Sequence, residues 1–572
     1  MDISVRLIFT VFLFVTSGVL LCQDCQLNFR SPVNHETRLS GSFGEPRSRH
    51  FHAGIDYKQK NGVPRDTIYA VEDGFISRID VQADGYGNAL LLKHRCNKSS
   101  LYAHLYDFNP RIRSYIDSVL TVQKRYTIYH TITDSVLYFR KGDYIGILGN
   151  SGRSSGPHLH FEIRDSRSER ALHPGHFGFK PKDNIPPFIR GIMLYELNPE
   201  GQELGKQFLL AQQISKNRYR LADEVIDVPY LKLGLGIRTY DTMNGASNHN
   251  GIYGLNMKVD GKLAYSFSLD SISFDLSKYL HAHMDYEAKV NRQYVTKCFK
   301  NPGNLLDIYD QYEDDGVIYT YGFKTTRVEI EVYDMEGNLS SIEFQVRRND
   351  EFPSRSLNAR IKENYISLSD STQINLGHTT LEFYPYTFSE PLTLEFDSTT
   401  SDHAIPLEQD RKIPLFNNFK ILHSLQKVDF PKEKYIFSSM NNKGEYVRYK
   451  AKWENDSTVV TFSNQLSTYH IDVDTTPPKI QIVNLPSKNK QPIFKVKVTD
   501  NYIPVYDMDQ IQVEVYVNGK WQLCRQDAKT NTTWFRVDPD KFSSDLKIKV
   551  VARDGSNNAT HIERVISAAK LN

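Results

Sequence analysis

The stretch RHFHAGIDY, residues 49–57, sets a histidine and an aspartate four residues apart with a glycine midway between them. A helix is the wrong reading of that spacing, because Gly54 weakens a helix and the flanking runs are strand-like. In an extended chain, side chains at i, i+2 and i+4 project to one face. His52, Gly54 and Asp56 are therefore expected on a shared face, with nothing at the centre to obstruct an object held between the ends. That is the shape of a metal site, and the remaining ligands must come from elsewhere in the chain.

The surroundings are β-patterned. The chain has 572 residues, 40% of them hydrophobic, with 34 Tyr and 31 Phe among many short Val/Ile/Thr/Tyr runs, which predicts several mainly β domains. A formal charge of +2 argues against a dedicated nucleic-acid binder, so no nucleic-acid partner is expected. The N-terminus has one basic residue, Arg6, and then an uncharged run from Leu7 to Leu21, the pattern of a secretory signal over residues 1–22. The run is short for a membrane span. An exported protein of the periplasm or cell envelope is expected, with membrane attachment only if Cys22 is lipidated; Leu21 stands where a lipoprotein signal normally has a small residue. The five cysteines, Cys22, Cys25, Cys96, Cys298 and Cys524, are too scattered for a disulfide framework, and most are read as unpaired.

Two later segments resemble each other, DNIPPFIRGI at 183–192 and DTTPPKIQIV at 474–483. Each sets an aspartate ahead of a proline pair and then starts an alternating run, as a linker feeding an edge strand does. Each is followed by a hairpin-type turn, Asp334 to Asn338 and Asp554 to Asn558. The expected organisation is a domain over 23–182, immunoglobulin-like β-sandwiches over 183–350 and 474–572, and a further β-rich unit over 351–473. No long amphipathic helix is expected. The first domain differs in kind, since 10 of the 18 histidines fall there.

Two of its clusters complete the opening stretch. YAHL, residues 102–105, carries His104 after a strand. In GPHLHFEIR, residues 156–164, His158 and His160 occupy one strand face while Leu159 and Phe161 take the other, toward a core. A catalytic zinc takes three nitrogen or carboxylate ligands and keeps a fourth position for water. His52, Asp56 and one histidine of the pair satisfy that count, leaving His104 and the other histidine for proton transfer and oxyanion stabilisation. His50, His94, His130 and His173 are read as ordinary surface or strand-end residues.

SGSFGEPRSRHFHAGIDY, YAHL and KGDYIGILGNSGRSSGPHLHFEIRD together resemble, in order, the three hallmark blocks of the lysostaphin/LytM-type zinc metallopeptidases, over about residues 38–167. The resemblance implies that His52, Asp56 and His160 bind Zn2+, that His104 and His158 are the catalytic histidines, and that the fold is a β-sheet groove with the metal on its floor. It implies peptide cross-links or stems of bacterial peptidoglycan as substrate. Gly149, Asn150, Ser151 and Gly152 are expected to shape one groove wall. The alternatives are a catalytically silent regulator of wall hydrolases, against which the five intact residues count, and an endopeptidase acting on protein. One departure stands out: an insertion at about 106–140, beside His104, which bears on substrate choice.

Overall fold

The computed structural model describes residues 27–567 apart from 37, 61–64, 134, 247, 323, 350–363, 397–403, 410–411, 487–491, 505–510 and 538–544. The expected signal segment, Cys22 and Cys25 lie outside the described residues. Of the other cysteines, Cys96 is disulfide-bonded, while Cys298 and Cys524 are free and buried.

In chain order the first part contains β1 (Leu39–Gly41), β2 (Ile55–Lys58), β3 (Thr67–Tyr69), β4 (Gly74–Val81), β5 (Asn88–Lys93), β6 (Lys98–Ala103) and β7 (Asp107–Phe108). These are followed by α1 (Pro110–Gln123), β8 (Ile128–Thr131), β9 (Tyr138–Phe139), β10 (Tyr144–Ile147), β11 (His158–Asp165) and β12 (Ala171–Leu172). The main sheet runs β1-β2-β11-β6-β5-β4-β8, and β3-β10-β7 form a second, small sheet. Alternation along β11 sends Leu159, Phe161 and Ile163 into the core, each fully buried. His160, Glu162 and Arg164 line the opposite face, where they too are buried.

Register builds the site. On one flank of β11, His160 stands directly opposite Asp56 of β2; on the other it stands opposite Ala103 of β6, one residue before His104. Because side chains alternate with a period of two, a slip of one residue would put Leu159 where His160 stands.

The expected shared strand face of His52, Gly54 and Asp56 is corrected: β2 begins only at Ile55, and residues 52–54 form a bend that delivers His52 to Asp56 from outside the strand. The glycine is needed for a different reason. A Cβ on Gly54 would lie 2.4 Å from the Phe161 carbonyl oxygen and 3.0 Å from His160 Cε1, so only glycine lets the bend lie against β11.

The expectation of no long amphipathic helix is also corrected, because the insertion carries α1. Asn109 caps it by accepting the Arg111 N–H at 2.9 Å, Pro110 occupies its first turn, and Ile112, Ile116 and Leu120 bury one stripe at spacing four. The insertion then returns as β8 and β9, which pair with β4 at the sheet edge away from β1.

Beyond residue 182 the chain is again β-structured. Residues 188–348 supply a five-stranded and an eight-stranded sheet, and one apolar cluster includes residues from Val33 to Val346 together with Phe416, so these sheets share a core with the first part. Residues 366–473 have a separate core. Residues 479–566 form two four-stranded antiparallel sheets packed over Phe494, Val496, Val515, Ile548 and Val550 as a β-sandwich. That sandwich folds back on the insertion. Tyr126, just past α1, joins its core, stacks on Trp521 with ring centroids 5.1 Å apart, and accepts the Val515 N–H at 2.9 Å. Arg525 bonds Asp107 at 3.2 Å, and Lys529 Nζ bonds Asn150 Oδ1 at 3.1 Å.

The shared core has a pH signature. Burial pushes His283, with Lys297 adding to the effect, and His173, with His176 adding, down to about 3. A base whose folded pKa lies below its unfolded value of about 6.5 is protonated mainly in the unfolded chain. Its contribution is complete above that value and is lost as pH falls toward 3, by up to about 1.4 kcal/mol per histidine per pH unit. The thermal unfolding midpoint is expected to drop between pH 7 and pH 5, and His283→Gln to flatten the drop. An unchanged slope in the variant would refute this origin.

Candidate metal centre

Three side-chain atoms meet at one point on the outer face of the main sheet. His52 Nε2 lies 3.0 Å from Asp56 Oδ1 and 2.9 Å from His160 Nδ1, and His160 Nδ1 lies 3.0 Å from Asp56 Oδ1. All three residues are buried.

The outer atoms of the rings decide what this triangle is. His52 Nδ1 donates to the Ser42 carbonyl at 2.7 Å, and His160 Nε2 donates to Glu162 Oε1 at 2.8 Å. With those protons turned outward, each neutral ring offers a lone pair inward, toward a carboxylate oxygen that can only accept. Three lone pairs about 3 Å apart repel unless a cation lies between them. Two imidazoles and a carboxylate are a zinc-type donor set, and such a separation suits atoms that share one ion at about 2.0–2.2 Å. The residues present therefore fit a metal.

The electrostatics agree. Burial alone would raise the Asp56 carboxyl, but His52 and His160 outweigh it and hold it well below the usual range. Burial opposes charge on His160, yet its hydrogen bonds to the carboxylates of Asp56 and Glu162 pull it up to about 9. Asp56 Oδ2 also accepts from Arg47 Nη2 at 2.8 Å.

Two more rings face the same point. His104 Nδ1 donates to the Ser151 carbonyl at 2.9 Å and His158 Nδ1 to the Gly156 carbonyl at 2.8 Å, which leaves each Nε2 bare. His158 Nε2 lies 3.5 Å from Asp56 Oδ1, and the His104 and His158 ring centroids are 4.8 Å apart. Burial, reinforced by His160 and His158, pushes His104 down to about 3; burial also lowers His158. Both are proton acceptors at neutral pH. His104 sits at φ +60°, a left-handed conformation in which β6 ends and the ring turns over the sheet.

The structure thus brings together all five residues singled out from the sequence, and the 149–152 turn does flank them. Ser151 supplies the carbonyl that orients His104, and its hydroxyl accepts the Asn88 N–H at 2.9 Å and donates to Leu105 O at 2.8 Å. A Cβ on Gly149 would lie 2.2 Å from the Tyr106 nitrogen, so the turn can pack there only as glycine. His94 and His173 stand at strand ends, directly after β5 and β12, as expected of strand-end residues, but both are buried there rather than on the surface, His94 between the Asp73 carbonyl and the Ser100 hydroxyl.

Sequence reasoning missed the shell that orients the rings. Glu162, fully buried, accepts from His160, from Arg164 Nε at 2.6 Å and from the Tyr86 hydroxyl at 2.6 Å. The signal was available, since Glu162 follows His160 by two residues on the same strand face. The roles of Ser42 and Gly156 act through backbone carbonyls and leave no mark on residue type.

No protein-family model matches the chain. Over 133 residues, 22% of its length, it is 34% identical to the DD-carboxypeptidase/endopeptidase Mpg of Neisseria meningitidis, of which the match covers 24%. It is 29% identical over 152 residues to an uncharacterized metalloprotease of Haemophilus influenzae, matching 25% of this chain and 26% of that one. It is 28% identical over 142 residues to the peptidoglycan DD-endopeptidase ShyA of Vibrio cholerae, matching 23% and 26%. The chain thus spans about a quarter of the length of these curated relatives, and over that quarter it is homologous to proteins named as metalloproteases and peptidoglycan endopeptidases. Among solved structures, the catalytic domain of lysostaphin from Staphylococcus simulans aligns with 25% of this chain and 91% of its own, at 23% identity and a TM-score of 0.19.

Proposed function

We propose that the chain is an exported zinc metalloendopeptidase that hydrolyses peptide cross-links or stems of bacterial peptidoglycan. The observation that carries this reading is the convergence of three inward lone pairs, from His52, Asp56 and His160, beside two further histidines whose Nε2 atoms are bare. Zinc, when bound, acidifies a water and polarises the scissile carbonyl. The rest falls to the protein. Glu162 and the Ser42 carbonyl hold His160 and His52 in the tautomers that offer a lone pair.

His104 and His158, both kept neutral by burial, take up the proton released in the attack. Once protonated, either ring donates to the developing oxyanion or returns the proton to the leaving amine. The Ser151 and Gly156 carbonyls stabilise the charged rings through the Nδ1 protons. The names of the relatives, DD-endopeptidase and DD-carboxypeptidase/endopeptidase, support peptidoglycan peptides as the substrate class.

The test is metal content and release of soluble fragments from purified peptidoglycan, for the wild type beside His160→Ala. About one zinc per chain with fragment release, both lost in the variant, is expected. Zinc with cleavage of a denatured protein but not of peptidoglycan would move the substrate to protein. No zinc in the wild type would overturn the catalytic reading in favour of a regulator.

A further inference from the structure

A second kind of donor cluster occurs twice, away from the histidines. Asp183 stands ahead of Pro186 and Pro187, Asp241 follows the strand Lys232–Tyr240, and Asp334 follows the strand Thr325–Tyr333. In the C-terminal sandwich, Asp474 stands ahead of Pro477 and Pro478, Asp500 follows Ile493–Thr499, and Asp554 follows Leu546–Arg553. Within each set, one carboxylate oxygen from every residue lies within 4.8 Å of the others.

The two sets are built alike. Asp334 Oδ1 accepts the N–H groups of Glu336 and Asn338, both at 2.9 Å; Asp554 Oδ1 accepts those of Ser556 and Asn558, both at 2.8 Å. The Asn338 side chain reaches the Asp183 carbonyl at 3.4 Å, and the Asn558 side chain reaches that of Asp474 at 3.1 Å.

Those bonds explain the turns and leave other oxygens unexplained. Asp241 is only 2% exposed, and its Oδ1 has no hydrogen-bond partner among the described residues; the same holds for the buried Asp183 Oδ2 and for Oε1 of the neighbouring Glu336. In the second set, Asp474 is 1% exposed with Oδ2 unpartnered, and Asp500 Oδ1 is likewise buried without a partner. A buried carboxylate oxygen without a partner costs several kcal/mol, and here carboxylates face one another. Lys180, half in solvent, holds its Nζ 3.7 Å from Glu336 Oε1. A cavity of about 40 Å³ is lined by Asp241, Asp334 and Glu336 together with Ser42, Phe43 and His173.

We propose that Asp183, Asp241 and Asp334 hold a divalent cation of the calcium type, and that Asp474, Asp500 and Asp554 form the same site again in the C-terminal sandwich. Calcium suits the chemistry, because it takes carboxylate and carbonyl oxygens at 2.3–2.6 Å in loose geometry, whereas zinc prefers the nitrogen-containing set of the first site. The cation offsets the mutual repulsion of the carboxylates. Without it, burial, with Asp334 and Asp183 adding to the effect, drives the Asp241 carboxyl up to about 8, and burial raises Asp500 to about 6. The first site is the stronger of the two: the Glu336 carboxylate adds negative charge beside it, whereas the buried Arg448 guanidinium lies against Gly555 beside the second. The first set also shares that cavity with Ser42, whose carbonyl orients His52.

Equilibrium dialysis of the full chain against calcium chloride tests this. About two calcium ions per chain are expected, one lost in Asp241→Asn and the other in Asp500→Asn, while His160→Ala binds both and so separates this inference from the zinc reading. Stability gives a second readout that does not depend on stoichiometry. In chelator-treated protein, Asp241→Asn is expected to melt above the wild type, because it removes repulsion, and in millimolar calcium below it, because it removes a ligand. Loss of only one ion, in Asp241→Asn alone, would keep the first site and overturn its repeat. No calcium bound at millimolar concentration, or binding that neither variant changes, would overturn the proposal.

Discussion

Asparagine in place of His104 is expected to leave about one zinc per chain bound and to lower peptidoglycan hydrolysis by roughly 10²–10⁴-fold, the range of a lost general acid or base. Asparagine is the informative choice because it tolerates the left-handed backbone at φ +60° that most residues resist, so the turn off β6 survives. Among the described residues His104 makes no hydrogen bond to the triangle; its Nδ1 proton is held by the Ser151 carbonyl, and its ring packs edge-on against His158 and His160. His160→Ala should lose metal and activity together. The two variants therefore divide the histidines into those that hold the ion and those that move the proton. If the asparagine variant lost its zinc as well, His104 would belong to the first group and the division would be wrong.

The second large effect is expected at Glu162. Its carboxylate orients His160 and neutralises Arg164, and both contacts are buried. Glutamine keeps an acceptor for the imidazole but removes the charge. Zinc affinity is expected to fall about 10–100-fold, as for other groups that orient a metal-bound imidazole. Stability should fall by up to about 3–5 kcal/mol, because the buried Arg164 guanidinium is left with the half-exposed Glu169 carboxylate, 3.4 Å away, as its counter-ion. Competition against a chelator reads the first effect and denaturant unfolding the second. A loss of stability with unchanged affinity would mean that Glu162 serves Arg164 alone.

These two residues show what could be read from the chain. His104 was legible because its neighbours form a recognisable block, and the alternation of HLHFEIRD placed His158 and His160 on the face opposite Leu159 and Phe161. The same alternation pointed to Glu162, which was passed over only because a carboxylate two residues beyond a ligand has no motif of its own. The sequence reads Gly54 as an open centre between two ligands; its actual constraint is the approach of β11, a contact across more than 100 residues that local periodicity does not encode. Arg47 became part of the site in the same way, through a fold that brings residue 47 to Asp56. The helix in the insertion had its signals, Asn109-Pro110 and the spacing of Ile112, Ile116 and Leu120, but they sat inside a run otherwise rich in strand formers. The sequence marks the paired aspartates only as punctuation before prolines and in hairpins; that Asp241 and Asp500 join them depends on which strand ends the fold brings together.

Tyr126 carries a practical consequence. A ring that belongs to one folding unit in sequence and to another in space makes the insertion and the last sandwich a matched pair, like a key left in its lock. An excised fragment ending near residue 182 would bare that ring and the apolar seam beneath residues 188–348, and is expected to aggregate. Replacement of the insertion by a short turn would unseat the C-terminal sandwich, so a recombinant design must keep or discard both. The same coupling restricts evolutionary shuffling: a sandwich exchanged between relatives would arrive without its partner.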